Sequence, residues 1–439
     1  MVNVLSRIIE YFSTQGFARA LRHRDFMWFS MTSWISTTGM WMQRVGVGWL
    51  TWELTHSGAW LGIMAAANAL PGLVLLPFTG AYADRIDRLK LMRVTQSLNF
   101  VANAVLAVLT LTGHISVEIM FAITLLSGVV QTFNMPVRMT IAPSLVPLQD
   151  LPAAISVNSF QFTTAMFIGP ALAGFMIAHG GVGLAFVANA ASYLPFYIIL
   201  YVITLADRPP RPQVETGIIA DVVDGIKYAA NHPGIGPVLM ATLLLSILVR
   251  PLSDLVPGFI DEVFQKGPAE LGLVLSAYGC GGMVGSFWMG NRGRLQGSTR
   301  IFIVFSLILT AFTVVFASIN VILPAIALMA VLGASNSISN NAAQSMIQAS
   351  VAPSHRGRVI SLYSLNGRAG PALGALVMGY MSHVLGLQIP TAGAAVIGIF
   401  VVLYVARDRS KIAEATEAVI VPYDKSGAAR RDATKKDGE

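Results

Sequence analysis

Long apolar runs alternate with short polar, charged breaks along the whole chain. Ser57–Ala83 and Val94–Thr112 carry no charge, and each is long enough for about 30 Å of hydrocarbon, which needs roughly 20 residues. Between them, GAYADRIDRLKLMR (80–93) packs Asp84, Arg85, Asp87, Arg88, Lys90 and Arg93 into ten residues. That contrast predicts a tight charged hairpin joining two membrane helices, with Gly80 allowing the first to pack closely. Extended along the chain, the pattern predicts twelve spans: 26–54, 58–83, 91–112, 117–140, 152–178, 183–205, 236–260, 270–291, 300–318, 321–347, 357–384 and 388–406. The first is long for one crossing, so it is expected to tilt or to end at the interface.

Composition agrees: 54% of the 439 residues are hydrophobic and 12% are charged, against about 25% charged in soluble domains. This is an all-α polytopic membrane protein. The net charge of +7 does not point to nucleic acid, because the basic residues cluster in one set of loops. Arg19, Arg22, Arg24, the 85–93 cluster, Arg208, Arg211, Lys227, Arg292, Arg294, Arg300, Arg356, Arg358 and the tail fall on one side, and only Lys266 on the other. Both termini are therefore expected in the cytoplasm of a cell inner (plasma) membrane, with no cleavable signal peptide ahead of them. A single Cys280 excludes a disulfide framework or a multi-Cys metal site.

The expected organisation is a cytoplasmic segment 1–25, a six-helix bundle 26–205, a linker 206–235, a second six-helix bundle 236–407 and a disordered tail 408–439. In the linker, RPPRP (208–212) stops the helix. Ile218, Ile219, Val222, Val223 and Ile226 then recur at helical spacing, as in an amphipathic helix on the membrane face. The halves repeat in parallel. Leu61, Gly62 and Gly80 match Leu271, Gly272 and Gly290, GPALAG (169–174) recurs as GPALGA (370–375), and NMPVR (134–138) sits where NNAAQ (340–344) sits. Two bundles about a pseudo-two-fold axis follow.

On these residues the chain resembles the major facilitator superfamily over nearly its whole length. G-x-x-x-D-R-x-D-R-x-K (80–90) is similar to its motif between the second and third helices, with Asp87 where Gly is common. The run from Ala165 through Gly169, Pro170, Ala173 and Gly174 resembles the fifth-helix motif of proton-coupled exporters, with alanine for two of its glycines. ALRHRDF (20–26), WMQ (41–43), ELT (53–55) and DGIKYAANHP (224–233) resemble the branch of enterobactin-type siderophore exporters and drug-efflux proteins. The resemblance implies rocking between inward- and outward-open states. It places the first and seventh helices opposite each other across a cavity, and pairs Asp84 with the start of the eleventh helix and with Arg138. Gly169, Pro170 and Gly174, with Gly370, Pro371 and Gly374 in the second half, would serve helix packing.

A charge at bilayer depth costs at least about 2.5–3.5 kcal/mol, so each needs a reason. Arg44, Arg250, Asp254 and Arg368 lie inside predicted spans. The repeat maps Arg44 onto Asp254, which suggests a pair across the bundles that shuts the external side. Alternatively, Asp254 pairs with Arg250 at i, i+4. As a carboxylate well inside a span, Asp254 is also the expected proton carrier. Arg368, near the midplane, either meets an anionic substrate group or makes a packing hydrogen bond beside Gly367 and Gly370. Gly80, Asp84, Arg85, Arg88 and Arg138 would close the inner side, or the 84–93 cluster sets topology alone. At the repeat positions Asp84 becomes Arg294 and Arg138 becomes Gln344, so acid and partner vanish together. Trp41, Gln43 and Asn158 are the expected cavity contacts.

The favoured activity is proton-coupled export of an amphiphilic or aromatic small molecule. A lysophospholipid or lipid flippase of the same fold is the alternative. A membrane-embedded enzyme is disfavoured: the seven His are scattered, and HExxH and GxxxxGK[ST] are absent; so is a receptor, which is expected to carry a larger soluble domain. The expected partners are the lipid bilayer, the substrate and protons, in a monomer, with no cofactor, metal or nucleic acid.

Overall fold

A computed structural model describes residues 17–83, 87–205 and 218–417. Asp84 and Arg85 lie outside these residues. The described residues form helices joined by short loops. They are α1 (Phe17–Leu21), α2 (Arg24–Thr55), α3 (Gly58–Ala83), α4 (Arg88–Leu111), α5 (Val117–Ile141), α6 (Leu151–Val202), α7 (Ile218–Asn231), α8 (Ile235–Leu248), α9 (Leu252–Gly258), α10 (Pro268–Arg292), α11 (Ser298–Ser318), α12 (Ile322–Ser350), α13 (Arg356–Leu385), α14 (Gln388–Arg407) and α15 (Arg409–Glu417). Among the described residues, nine helices are long and apolar enough to cross a membrane, with α8 and α9 counted together. The helices α2 and α13, which hold Arg44 and Arg368, are not among them.

Local chemistry sets the boundaries. Asp87 caps α4 by accepting the Lys90 N–H at 2.8 Å, and Ser116 likewise begins α5. Gly181 divides α6 into two arms: its φ of 76° is one that only glycine adopts without strain.

The helices fall into two sets. α2 packs along α6, α4 against α5 and α6, and α3 against α5; α10 packs on α12, α11 on α12 and α14, and α8 on α13 and α14. The sets meet along two crossings, α3 with α13 and α6 with α10. The repeat explains both. A Cβ on Gly174 would lie 2.7 Å from the Gly272 Cα, and one on Gly62 would strike the Ala375 carbonyl. Gly62 matches Gly272, and Gly174 matches Ala375, so one crossing is the image of the other. Small residues let backbones touch where lipid supplies no hydrophobic drive.

Both crossings lie toward the face opposite the described chain ends, here the distal face. There Gly379 also packs on the Gly58 carbonyl. Toward the terminal face, a Cβ on Gly290 or Gly357 would meet nothing within 4 Å, and Ser156, Ser159, Phe160, Ser361 and Ser364 are exposed.

Residues 218–231 form α7. Its Asp224 accepts from Arg358 at 2.7 Å and meets His355 at 3.3 Å, and Tyr228 stacks on His355 at 4.3 Å. Val222, Val223 and Ile226 face outward. The tail differs from expectation at its start. Residues 409–417 form α15, because Glu417 caps α11 by accepting from the backbone N–H groups of Gly297 and Thr299, the latter at 2.6 Å. The helix N-terminus favours that carboxylate.

Candidate transport site

The site forms where α2 meets the broken rod α8–α9. A turn at Val249–Pro251 separates these helices: Val249 leaves the helical region at φ −123°, and Pro251 offers no N–H. Arg250 and Asp254 are therefore not successive turns of one regular helix. Arg250 instead donates from Nε to Asn336 Oδ1 on α12 at 3.1 Å. Asp254 Oδ1 accepts from Arg44 Nη2 at 2.6 Å, which ties the two helix sets together. Asp254 is 12% exposed and Arg44 55% exposed. Arg44 thus keeps an open side where the two sets meet.

Its guanidinium sits 5.5 Å from the centroid of the Trp41 ring, and Trp41 meets Phe162 of α6 edge-on at 5.9 Å. The Trp41 indole N–H is buried without a partner among the described residues. Tyr278 of α10 lines one small pocket with Arg250, Ser253 and Asn336.

Arg368 extends from α13 toward α3. Its Nη1 lies 3.7 Å from where a Gly72 Cβ would be, and the Thr132 hydroxyl of α5 lies 3.6 Å from the same point. Arg368 is exposed, and among the described residues no hydrogen bond or ion pair engages it. Gly370 packs instead on Ser246, and Gly367 faces Arg250 Nη1 at 3.8 Å. Beside Gly370, Pro371 lies within α13 and Gly374 packs on the Ile247 carbonyl and Pro251, so this motif seats α13 on α8.

Residues 14–429 match the family described as transmembrane secretion effector. The chain belongs to that family of the major facilitator superfamily. It is similar to the staphyloferrin A transporter of Staphylococcus aureus, 24% identical over 82% of this chain and 90% of the relative. It is 28% identical to the multidrug efflux pump Tap of Mycolicibacterium fortuitum over 78% of this chain and 86% of that one. The enterobactin exporter EntS of Escherichia coli is 22% identical over 87% and 90%. Among solved folds, a POT family transporter in complex with 5-aminolevulinic acid superposes with a TM-score of 0.71 at 10% identity, over 89% of this chain and 96% of that one.

Other expected residues of this chain sit elsewhere. Gln43 is part of a buried polar knot, not of the cavity wall: Asn189 Nδ2 donates to Gln43 Oε1 at 3.3 Å and to Asn103 Oδ1 at 2.8 Å. The Asn189 amide of α6 thus serves acceptors on both α2 and α4, which turns Gln43 away from Trp41. Asn158 is half-buried on α6. Arg138 donates to the Ser33 carbonyl at 2.7 Å and to the Ser33 and Thr37 hydroxyls, and lies 5.4 Å from the Phe196 ring centroid. It is thus held within the first helix set. Arg88 Nη1 reaches Ser144 Oγ at 3.5 Å, and Gly80 lies in the last turn of α3. Gly169 faces Trp41, and Pro170 presents its carbonyl to Gly272.

Sequence reasoning missed Tyr278 and Asn336, which complete the polar wall. Their signal was faint: a hydroxyl or amide within an apolar span needs a partner. It also missed the distal rim, where Trp52 Nε1 donates to Asp261 Oδ2 at 2.8 Å and His56 Nδ1 lies 3.6 Å from the same oxygen.

Proposed function

We infer that this transporter exports an amphiphilic or aromatic small molecule, drug- or siderophore-like, by proton-coupled alternating access. Counting both arms of α6, and adding α2 and α13, gives twelve crossings. The basic loops then put the terminal face and both chain ends in the cytoplasm of a bacterial inner membrane. On this reading the structure is inward-facing, shut on the distal side. The observation that carries the proposal is the Arg44–Asp254 pair at 2.6 Å, which joins the two helix sets beside the space they enclose. Names of the relatives support export of siderophores or drugs.

The chemistry of the wall suggests how coupling works. A proton on Asp254 neutralises the acceptor, weakens its hold on Arg44 and frees the distal side to open. Arg368 offers an uncommitted guanidinium to an anionic group of the cargo, while Trp41 and Phe162 offer an aromatic surface. Cargo release outward and proton return inward then alternate around one site.

The test is transport of labelled siderophores and fluorescent drugs in proteoliposomes, with and without an imposed pH gradient. Gradient-driven movement that loses its pH dependence in Asp254→Asn is expected. Intact pH dependence in that variant excludes Asp254 as carrier. Movement of labelled lysophospholipid between leaflets, with no soluble cargo moved, would favour a flippase instead.

A further inference from the structure

A second concavity lies on the outer flank, away from the transport site. It sits between the first three turns of α4 and the last turns of α6, at the terminal face. Its volume is about 590 Å³, and Asp87, Lys90, Arg93, Ser97, Tyr197 and Tyr201 form its polar wall. That volume suits a small-molecule group. Because the pocket opens sideways between two membrane-crossing helices, whatever fills it approaches from the bilayer.

The wall is a built one. Arg93 donates from Nε and Nη2 to the Leu200 carbonyl at 3.1 and 2.7 Å, and so satisfies a last-turn acceptor of α6. Its guanidinium is also held over the Tyr201 ring at 4.2 Å. A guanidinium carries five N–H donors in a fixed fork, so a side chain positioned this firmly keeps others for a ligand. The Tyr197 and Tyr201 hydroxyls are 2.8 Å apart and share a hydrogen bond, leaving one O–H to give. Lys90 is exposed one turn below. Asp87, the acid in the wall, turns Oδ1 to the Lys90 backbone N–H at 2.8 Å. The free donors are thus cationic or phenolic, which suits a phosphate.

Above the polar wall, Val94, Leu98, Val101 and Val105 form one exposed stripe along α4. Spacing of three and four residues keeps them on one face, and the stripe leads from the pocket toward mid-membrane. Phosphate chemistry below continuous apolar surface describes a lipid rather than a free anion. We propose that this flank pocket binds the headgroup phosphate of an anionic phospholipid, with an acyl chain laid along Val94–Val105.

Native mass spectrometry of the full purified chain, with dioleoyl phosphatidylglycerol, dioleoyl phosphatidylcholine or sodium phosphate added, tests the assignment. The expected result is one tightly retained phosphatidylglycerol, weakened about fivefold in Lys90→Gln, the effect of one basic residue at an anionic headgroup layer. Leu98→Gln, which leaves the charges intact, should weaken it too. Arg300→Gln, an exposed basic residue at the same face on α11, should not. Equal retention of phosphatidylcholine, equal loss in Arg300→Gln, or full competition by inorganic phosphate would overturn the proposal. Arg93→Gln also removes an α6 contact, so the Lys90 and Leu98 variants carry the decision.

Discussion

Replacing Asp254 by asparagine should shift the transporter toward a distally open state by about 30-fold. The pair to be broken is a charge-assisted hydrogen bond of 2.6 Å. Unit charges about 4 Å apart attract by about 4 kcal/mol at an effective dielectric near 20. Arg44 is 55% exposed, so solvent screening halves this to about 2 kcal/mol. At 1.4 kcal/mol per decade that is about 30-fold in the closed-to-open ratio. The shift is readable with spin labels at Thr112 and Ser318, exposed positions at the distal ends of α4 and α11, after Cys280→Ser. The label distance should lengthen in Asp254→Asn and in Arg44→Gln. The double variant should lengthen it no further, because either change alone removes the interaction. The exchanged pair Arg44→Asp with Asp254→Arg should recover closure. An unchanged distance distribution in both single variants would refute a closing role for this contact.

Three further outcomes follow from the same geometry. Gly174→Val places a branched side chain where even a Cβ would lie 2.7 Å from Gly272; overpacking of about 1–3 kcal/mol should lengthen the Thr112–Ser318 distance as the gate variants do. Arg368→Gln should raise the transport KM of an anionic cargo by about 10- to 100-fold, the loss of one hydrogen bond to a charged group, while leaving a neutral cargo within twofold in proteoliposomes. Glu417→Ala removes the α11 cap and should cost about 1 kcal/mol, read as a lower Tm of the purified chain with the label distance unchanged.

Much of this was readable in the chain because the membrane makes few demands and makes them plainly. Uninterrupted apolar runs marked the rods, and the repeat of Gly62 with Gly272 marked where rods must touch. Arg44 and Asp254 stood out because charge at that depth has to be compensated. What stayed hidden depended on backbone irregularity. Spacing alone permits Arg250 to reach Asp254, and only the turn at Val249–Pro251 sends it to Asn336. Gln43 neighbours Trp41 in sequence, yet helical rotation turns it to Asn189. Residue 408 looked like the start of a solvated tail because the partner of Glu417, the start of α11, is distant in sequence.

The contact between Arg44 and Asp254 also marks where the axis relating the two halves runs. These residues are 210 apart, the same offset that aligns Gly62 with Gly272, so each is the other's repeat mate. Two points exchanged by a two-fold rotation can touch only close to the axis. Trp52 and Asp261, 209 apart, touch near the same line, one residue out of register. A faithful repeat would put like residues face to face there, and two arginines would repel at that separation. Divergence of the halves at this position replaces repulsion with attraction, whereas the glycine crossings, which lie off the axis and contact a different segment, keep their small residues in both halves. Symmetry is thus retained where backbones touch and broken where a charge must be held.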